Sequence, residues 1–157
     1  ANPVIKRHHQ KHINDKYAPA WKTIEFMTLG SILKLYQNLK DSDLQRKIAG
    51  HYGIKSVAVF NNYMETIRII RNTCAHGGIL FDISLPRSIQ RGPAGVMINE
   101  TRNNLKGATS VIYYILKQVS THRADDMNDV IDELLLMNRD NKTIREVIQR
   151  CSGYSFE

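Results

Sequence analysis

The sequence predicts an all-α fold, a bundle of five to seven helices with one long loop after its fourth. Three observations predict it. Apolar residues recur at +3/+4 spacing along most of the chain. Capping residues stand just ahead of these periodic stretches. No stretch alternates apolar and polar residues as a half-buried strand would. At 157 residues the chain is expected to form one domain, 1–157, large enough to bury a sizeable core.

The elements follow in order. Asn2-Pro3 suits a helix start, with Pro at the first helical position. A short basic helix is expected to run to about Asp15. Its histidines, His8, His9 and His12, invite a metal reading, but no carboxylate or Cys cluster accompanies them, so a solvated basic face is expected. A second helix, from about Pro19 to Lys40, carries Trp21, Ile24, Ile32, Leu35 and Leu39 on one face, with Phe26, Leu29 and Leu33 beside it. Such broad apolar girth predicts a central helix. Glu25 projects among Trp21, Leu29, Ile32 and Tyr36 at about 100° per residue. A carboxylate buried there needs a cation; Arg71 and Arg68 are the candidates and pairing with Arg71 is expected, the alternative being a Glu25 that reaches solvent or a tyrosine.

Asp41-Ser42-Asp43 caps a third helix that ends near Gly53. Ser56 caps a fourth, expected to reach His76. Its stripe Phe60, Tyr63, Ile67, Ile70 and Cys74 predicts a core face packed on the second helix. On that reading Ile67→Ala costs on the order of 2–5 kcal/mol. Asn61, Glu65, Arg68, Asn72 and His76 make an equally regular polar stripe. Gly77-Gly78 ends the helix. Residues 77–98, with Pro86, Gly92-Pro93, Arg87 and Arg91, form a loop of a length that is usually functional or mobile. A fifth helix spans roughly Glu100 to Ser120, with Gly107 predicting a close helix crossing. Two shorter helices follow near Met127–Asn138 and Thr143–Arg150.

Composition narrows the function. The longest strongly apolar run, Val111 to Leu116, is far too short to span a bilayer, and no basic-then-apolar leader opens the chain, so no membrane partner is expected. Two cysteines, Cys74 and Cys151, make no disulfide framework, and a reduced, cytoplasmic setting is expected. The net charge of +7 is uneven. Residues 1–106 carry 16 Lys/Arg against 7 Asp/Glu, and residues 107–157 carry 6 against 8. A basic body of this kind suits a polyanionic partner.

Arg71-Asn72-Thr73-Cys74-Ala75-His76 is the candidate reaction centre. It sets a fixed cation, an amide and an imidazole within two helical turns. RNA can be cut without metal or cofactor by attack of the ribose 2′-hydroxyl on the adjacent phosphorus. That needs a base, an acid and a cation for the phosphoryl charge. His serves either proton role near neutrality, and Arg offers a planar fork suited to phosphate. Asn72 and His76 are i,i+4 neighbours, while Arg71 is turned about 140° from His76. The bland alternative is a helix end whose basic residues complement the dipole.

Arg71-Asn72-x-Cys74-Ala75-His76, preceded by Trp21-x-x-x-Glu25-Phe26-x-x-Leu29-Gly30 and Lys47-Ile48-Ala49, resembles the Abi-like (abortive infection) proteins of bacteria, within the HEPN superfamily of helical bundles. The resemblance covers roughly residues 1–85. It implies a dimeric helical domain whose motif helices line a shared RNA-cleaving groove, acting in phage defence or a toxin–antitoxin system. Arg71 and His76 match the ends of the family's R-x(4–6)-H motif. Asn72 matches the polar residue after its Arg, and Glu25 an acidic residue of the earlier helix. Arg68 is a supporting residue, and Arg87 and Arg91 are candidate RNA contacts. RNA, a second copy of the chain, and an antitoxin or phage-derived trigger are the expected partners. Many members carry a further Arg after the His; here the segment reads Gly77-Gly78-Ile79-Leu80-Phe81, which puts one phosphate contact in doubt. Members also tend to be longer, so this chain is expected to be a C-terminal portion. The alternatives are a non-catalytic RNA-binding or protein-interaction module, and a purely structural helical dimerisation domain.

Overall fold

The structure is a computed structural model that describes residues 2–95 and 101–156. Over these residues the protein is all-helical, with eight helices and no strand. The chain divides into two compact units, residues 1–40 and 41–157.

The first unit holds α1 (Pro3–Lys11), α2 (Ala20–Ile24) and α3 (Leu29–Gln37). Asn2 caps α1 by accepting from the Val4 amide, and Pro3 opens the helix. The basic face of α1, expected to be solvated, is only partly so. His8 is buried, and its Nε2 lies 3.1 Å from the Asp15 carboxylate. Asp15 reaches it because α1 ends at Lys11 and the chain turns back.

The helix predicted from Pro19 to Lys40 is broken in two. Thr28 leaves the helical region with an extended backbone, and its hydroxyl accepts from the Ser31 amide, so a new helix starts there. This N-cap competes with continuation of α2 and wins. The break changes the register of the apolar face. Trp21 is 63% exposed, and Phe26 and Leu35 are exposed too, so this stretch is not the centre of a core. Only Leu33 and Tyr36 are buried within it. Glu25, the C-cap of the five-residue α2, is exposed. A solvated carboxylate needs no cation, which removes the reason for giving it one.

The second unit holds α4 (Ser42–His51), α5 (Val57–Ala75), α6 (Leu105–Val119), α7 (Thr121–Met137) and α8 (Lys142–Ser152). The core lies here. Ala49 of α4, Phe60, Tyr63 and Ile70 of α5, Ala108 and Val111 of α6 and Ala124 of α7 are all buried. α6 packs on both α5 and α7, and α4 packs on α5. Asp41 and Ser56 cap α4 and α5 where predicted. α7 begins six residues before the predicted start near Met127, because Ser120 ends α6 and caps α7 at once. Asn104 caps α6, and the predicted start at Glu100 lies outside the described residues, as do residues 96–98 of the predicted loop.

The buried stripe of α5 is Phe60, Tyr63, Thr66 and Ile70. Thr66 reaches the core because its hydroxyl is satisfied by the Asn62 carbonyl at 2.9 Å. Ile67 is only half-buried and Cys74 is exposed, so the predicted face is rotated slightly. Ile70→Ala is therefore expected to cost about 2–5 kcal/mol and Ile67→Ala distinctly less. Urea midpoints of the two variants should differ in that order.

Gly107 does make a close approach, to the turn at Thr101 rather than to another of the α-helices. A Cβ there would stand 2.0 Å from the Thr101 carbonyl oxygen and 3.1 Å from Ile89 Cδ1. The residue lets α6 sit against the chain that leads into it and against the long loop. That loop is tied down along its described length. Leu85 and Ile89 are buried, and their amides donate to the carbonyls of Asn103 and Arg102 at 2.8 Å each. Residues 85–94 thus form a strap across the second unit.

Candidate active site

The motif occupies the last turn of α5. His76 is its C-cap, and its amide donates to the Asn72 carbonyl at 3.0 Å. Gly77 follows at φ +67°, in the left-handed region. The Gly77 amide donates to the Cys74 carbonyl at 3.1 Å, and the Gly78 amide to the Thr73 carbonyl at 2.7 Å. This paired closure satisfies the helix's last carbonyls and fixes the backbone that carries the imidazole. Glycine is needed at 77 because a Cβ is disfavoured at that φ. His76 and Arg71 are both exposed, at the surface where a polyanion could reach them.

Asn72 ties the three motif residues together, though not as the i,i+4 spacing suggested. Its Oδ1 accepts from Arg71 Nη1 at 3.1 Å. Its backbone carbonyl holds the His76 amide. The guanidinium of Arg71 is thereby drawn toward the side of the helix that carries Asn72 and His76, against the 140° that separates Arg71 from His76 on an ideal wheel. The amide acts on the arginine and leaves the imidazole free.

One turn earlier stands a charged pair that the polar stripe hinted at but sequence reasoning passed over. Arg68 Nε donates to Glu65 Oε2 at 2.8 Å and Arg68 Nη2 to Glu65 Oε1 at 2.5 Å. The i,i+3 spacing of opposite charges is the signal that could have found it. Arg68 is therefore engaged by a carboxylate of its own helix. These hydrogen bonds hold the Glu65 carboxyl below the usual carboxylate range, against partial burial; the charge of Arg87 on the strap pulls the same way more weakly. Arg68, Asn72 and His76 lie within about 80° of one another on the helix. They form one polar face of α5. Arg87 and Arg91, both exposed, lie on the strap.

The strap is joined to α5 by a second residue missing from the sequence reading. Asn62 Nδ2 donates to the Ser88 carbonyl at 3.1 Å, and Asn62 Oδ1 accepts from the Gln90 amide at 2.8 Å. The Tyr63 hydroxyl accepts from the Ala94 amide at 3.3 Å. Contacts across 26 to 31 residues leave no local pattern, so no spacing in the sequence announces them.

A cluster able to hold a metal ion would need three or more His, Cys, Asp or Glu side chains together, and the described residues contain none. None of their helices is long and apolar enough to cross a membrane.

The family model for Abi-like proteins matches residues 1–82, just over half of the chain. The chain belongs to the Abi-like protein family. The Abi-like match takes in α1 to α5 and the whole of Arg71–His76, and it stops before the strap. No curated protein and no solved structure matches the chain. Arg87, Arg91 and α6 to α8 of this Abi-like chain are therefore read from their own geometry. Glu25 falls inside the matched region, in the first unit, as an exposed C-cap.

Proposed function

We propose that the chain is a metal-independent endoribonuclease of an abortive-infection or toxin–antitoxin type system, acting in the cytoplasm as a homodimer of HEPN type. The observation that carries this reading is the end of α5. An unencumbered imidazole and an oriented guanidinium share an exposed, rigidly closed helix terminus in an Abi-like chain. His76 takes or supplies the proton, and Arg71 stabilises the charge that builds on the phosphoryl oxygens. The 2′-hydroxyl gives up its proton as its oxygen bonds to phosphorus. The 5′-oxygen leaves with a proton from the acid. The product carries a 2′,3′-cyclic phosphate. Cleavage needs a base and an acid, and each motif supplies one histidine. Two-fold pairing of motif helices duplicates the group across one groove; the alternative is a single His76 assisted by Arg71 and water. An antitoxin or phage-derived trigger would act by covering or freeing that groove.

The basic body supplies affinity. The logarithm of the binding constant for a single-stranded oligoribonucleotide should fall linearly with the logarithm of salt concentration, because neutralised phosphates release counterions. Affinity that does not change between low and moderate salt would rule out this mode. Retained salt-dependent binding without any cleavage product would leave an RNA-binding module on the same scaffold.

A further inference from the structure

The strap, its amide clamp and the Glu65–Arg68 pair have no part in the cleavage scheme. We infer that Asn62 is a positioning residue that creates a second phosphate site: by locking the strap to α5 it holds Arg87 alongside the Arg68–Glu65 pair, and the two guanidinium groups take one backbone phosphate of single-stranded RNA. The inference rests on the RNA reading above and extends it from the reacting phosphate to a neighbouring one.

The geometry supports it in three ways. Asn62 lies on the flank of α5, one turn before Glu65 and about 60° around the helix from it. Both of its hydrogen bonds go to the strap backbone, to Ser88 and Gln90, and so bracket Ile89. Ile89 is fully buried between them, which prevents the strap from sliding. Arg87, immediately before Ser88, is consequently fixed in position beside the helix while its side chain stays exposed. Its charge is felt at Glu65.

The chemistry of the pair fits a phosphate. Arg68 spends its Nε–H and one Nη2–H on Glu65. Three of its five donors remain. Glu65 sets the plane of the guanidinium and cancels one of the two positive charges, so the trio carries one net positive charge, the complement of one phosphodiester. Arg68 precedes His76 by eight residues, about 12 Å along the helix axis. The site is therefore separate from the reacting centre, and it recognises an extended strand rather than a mononucleotide.

The test measures binding of a 2′-O-methyl oligoribonucleotide, which cannot be cut, by fluorescence anisotropy over a series of salt concentrations. Arg87→Ala and Asn62→Ala are each expected to lower the magnitude of the log–log salt slope by about 0.7, the value for one phosphate of a single strand. The double variant is expected to lower it no further, because without the clamp Arg87 is no longer held in place. Hydrogen exchange should show loss of protection at the Gln90 amide in Asn62→Ala, with the helical signal unchanged. Asn62→Gln keeps the amide but lengthens its reach, and it carries the same expectation if Asn62→Ala unfolds. A slope unchanged in Arg87→Ala, or losses that add in the double variant, would overturn the second site. Absence of salt-dependent binding by the wild-type chain would instead overturn the RNA reading itself.

Discussion

Mixed dimers of wild-type and His76→Ala protomers are expected to cleave single-stranded RNA at well below half the wild-type rate. A shared groove in which one His76 is the base and the other the acid is disabled by the loss of either. General acid–base groups contribute roughly 10²–10⁴-fold each, and a donor that stabilises the developing charge roughly 10²–10³-fold. The homodimeric His76→Ala and Arg71→Ala variants should therefore have no measurable cleavage. Neither should disturb the fold. Both side chains are exposed, and the closure of α5 runs through backbone atoms and Gly77 rather than through the imidazole. Circular dichroism and urea midpoints should stay at the wild-type values. Chelators should leave cleavage untouched. Heterodimers that retain half or more of the activity would show that one motif is sufficient by itself, and the two-histidine groove would have to be abandoned.

Ile89→Ala is expected to produce the largest stability loss among the strap substitutions, about 2–5 kcal/mol. Ile89 has no exposed surface, and its Cδ1 sits over Gly107, so truncation opens a cavity where α6 meets the strap. The surrounding backbone is pinned. Arg102 Nε donates to the Ile89 carbonyl at 2.7 Å, and the Ile89 amide donates to the Arg102 carbonyl at 2.8 Å. Collapse into the cavity is therefore limited, which places the cost toward the upper part of that range. Urea denaturation of the whole chain checks it. A loss below about 1 kcal/mol would mean that the strap contributes little to the second unit. This residue also separates two roles. Ile89→Ala should lower both stability and RNA affinity, whereas Arg87→Ala should lower affinity alone.

Local signals carried much of the fold. Asn2, Asp41 and Ser56 each stand directly before an apolar-periodic run, and each caps a helix by accepting a nearby amide. The left-handed Gly77 marked the end of the motif helix for the same reason: a C-cap is a matter of three or four adjacent residues. Thr28 shows where local reading failed. An apolar stripe running through residues 21–39 outweighed a single hydroxyl in the sequence, yet the hydroxyl breaks the helix and turns Trp21 and Leu35 outward. Ser120 misled in the same way, because one residue served as the end of one helix and the cap of the next.

The sequence by itself determined that this protein is helical, where most of its helices begin, and that Arg71, Asn72 and His76 share the end of one of them. These follow from helical periodicity and capping, which act over three to five residues. Only the tertiary structure decided that the core lies in the second unit, that Glu25 faces solvent, that Arg68 belongs to Glu65, and that Asn62 fastens a strap bearing Arg87 to the motif helix. The clamp joins atoms 26 and 28 residues apart, and burial of Ile89 depends on a glycine in a later helix. Packing and hydrogen bonding at that separation depend on how whole elements meet, and no spacing within the chain encodes it.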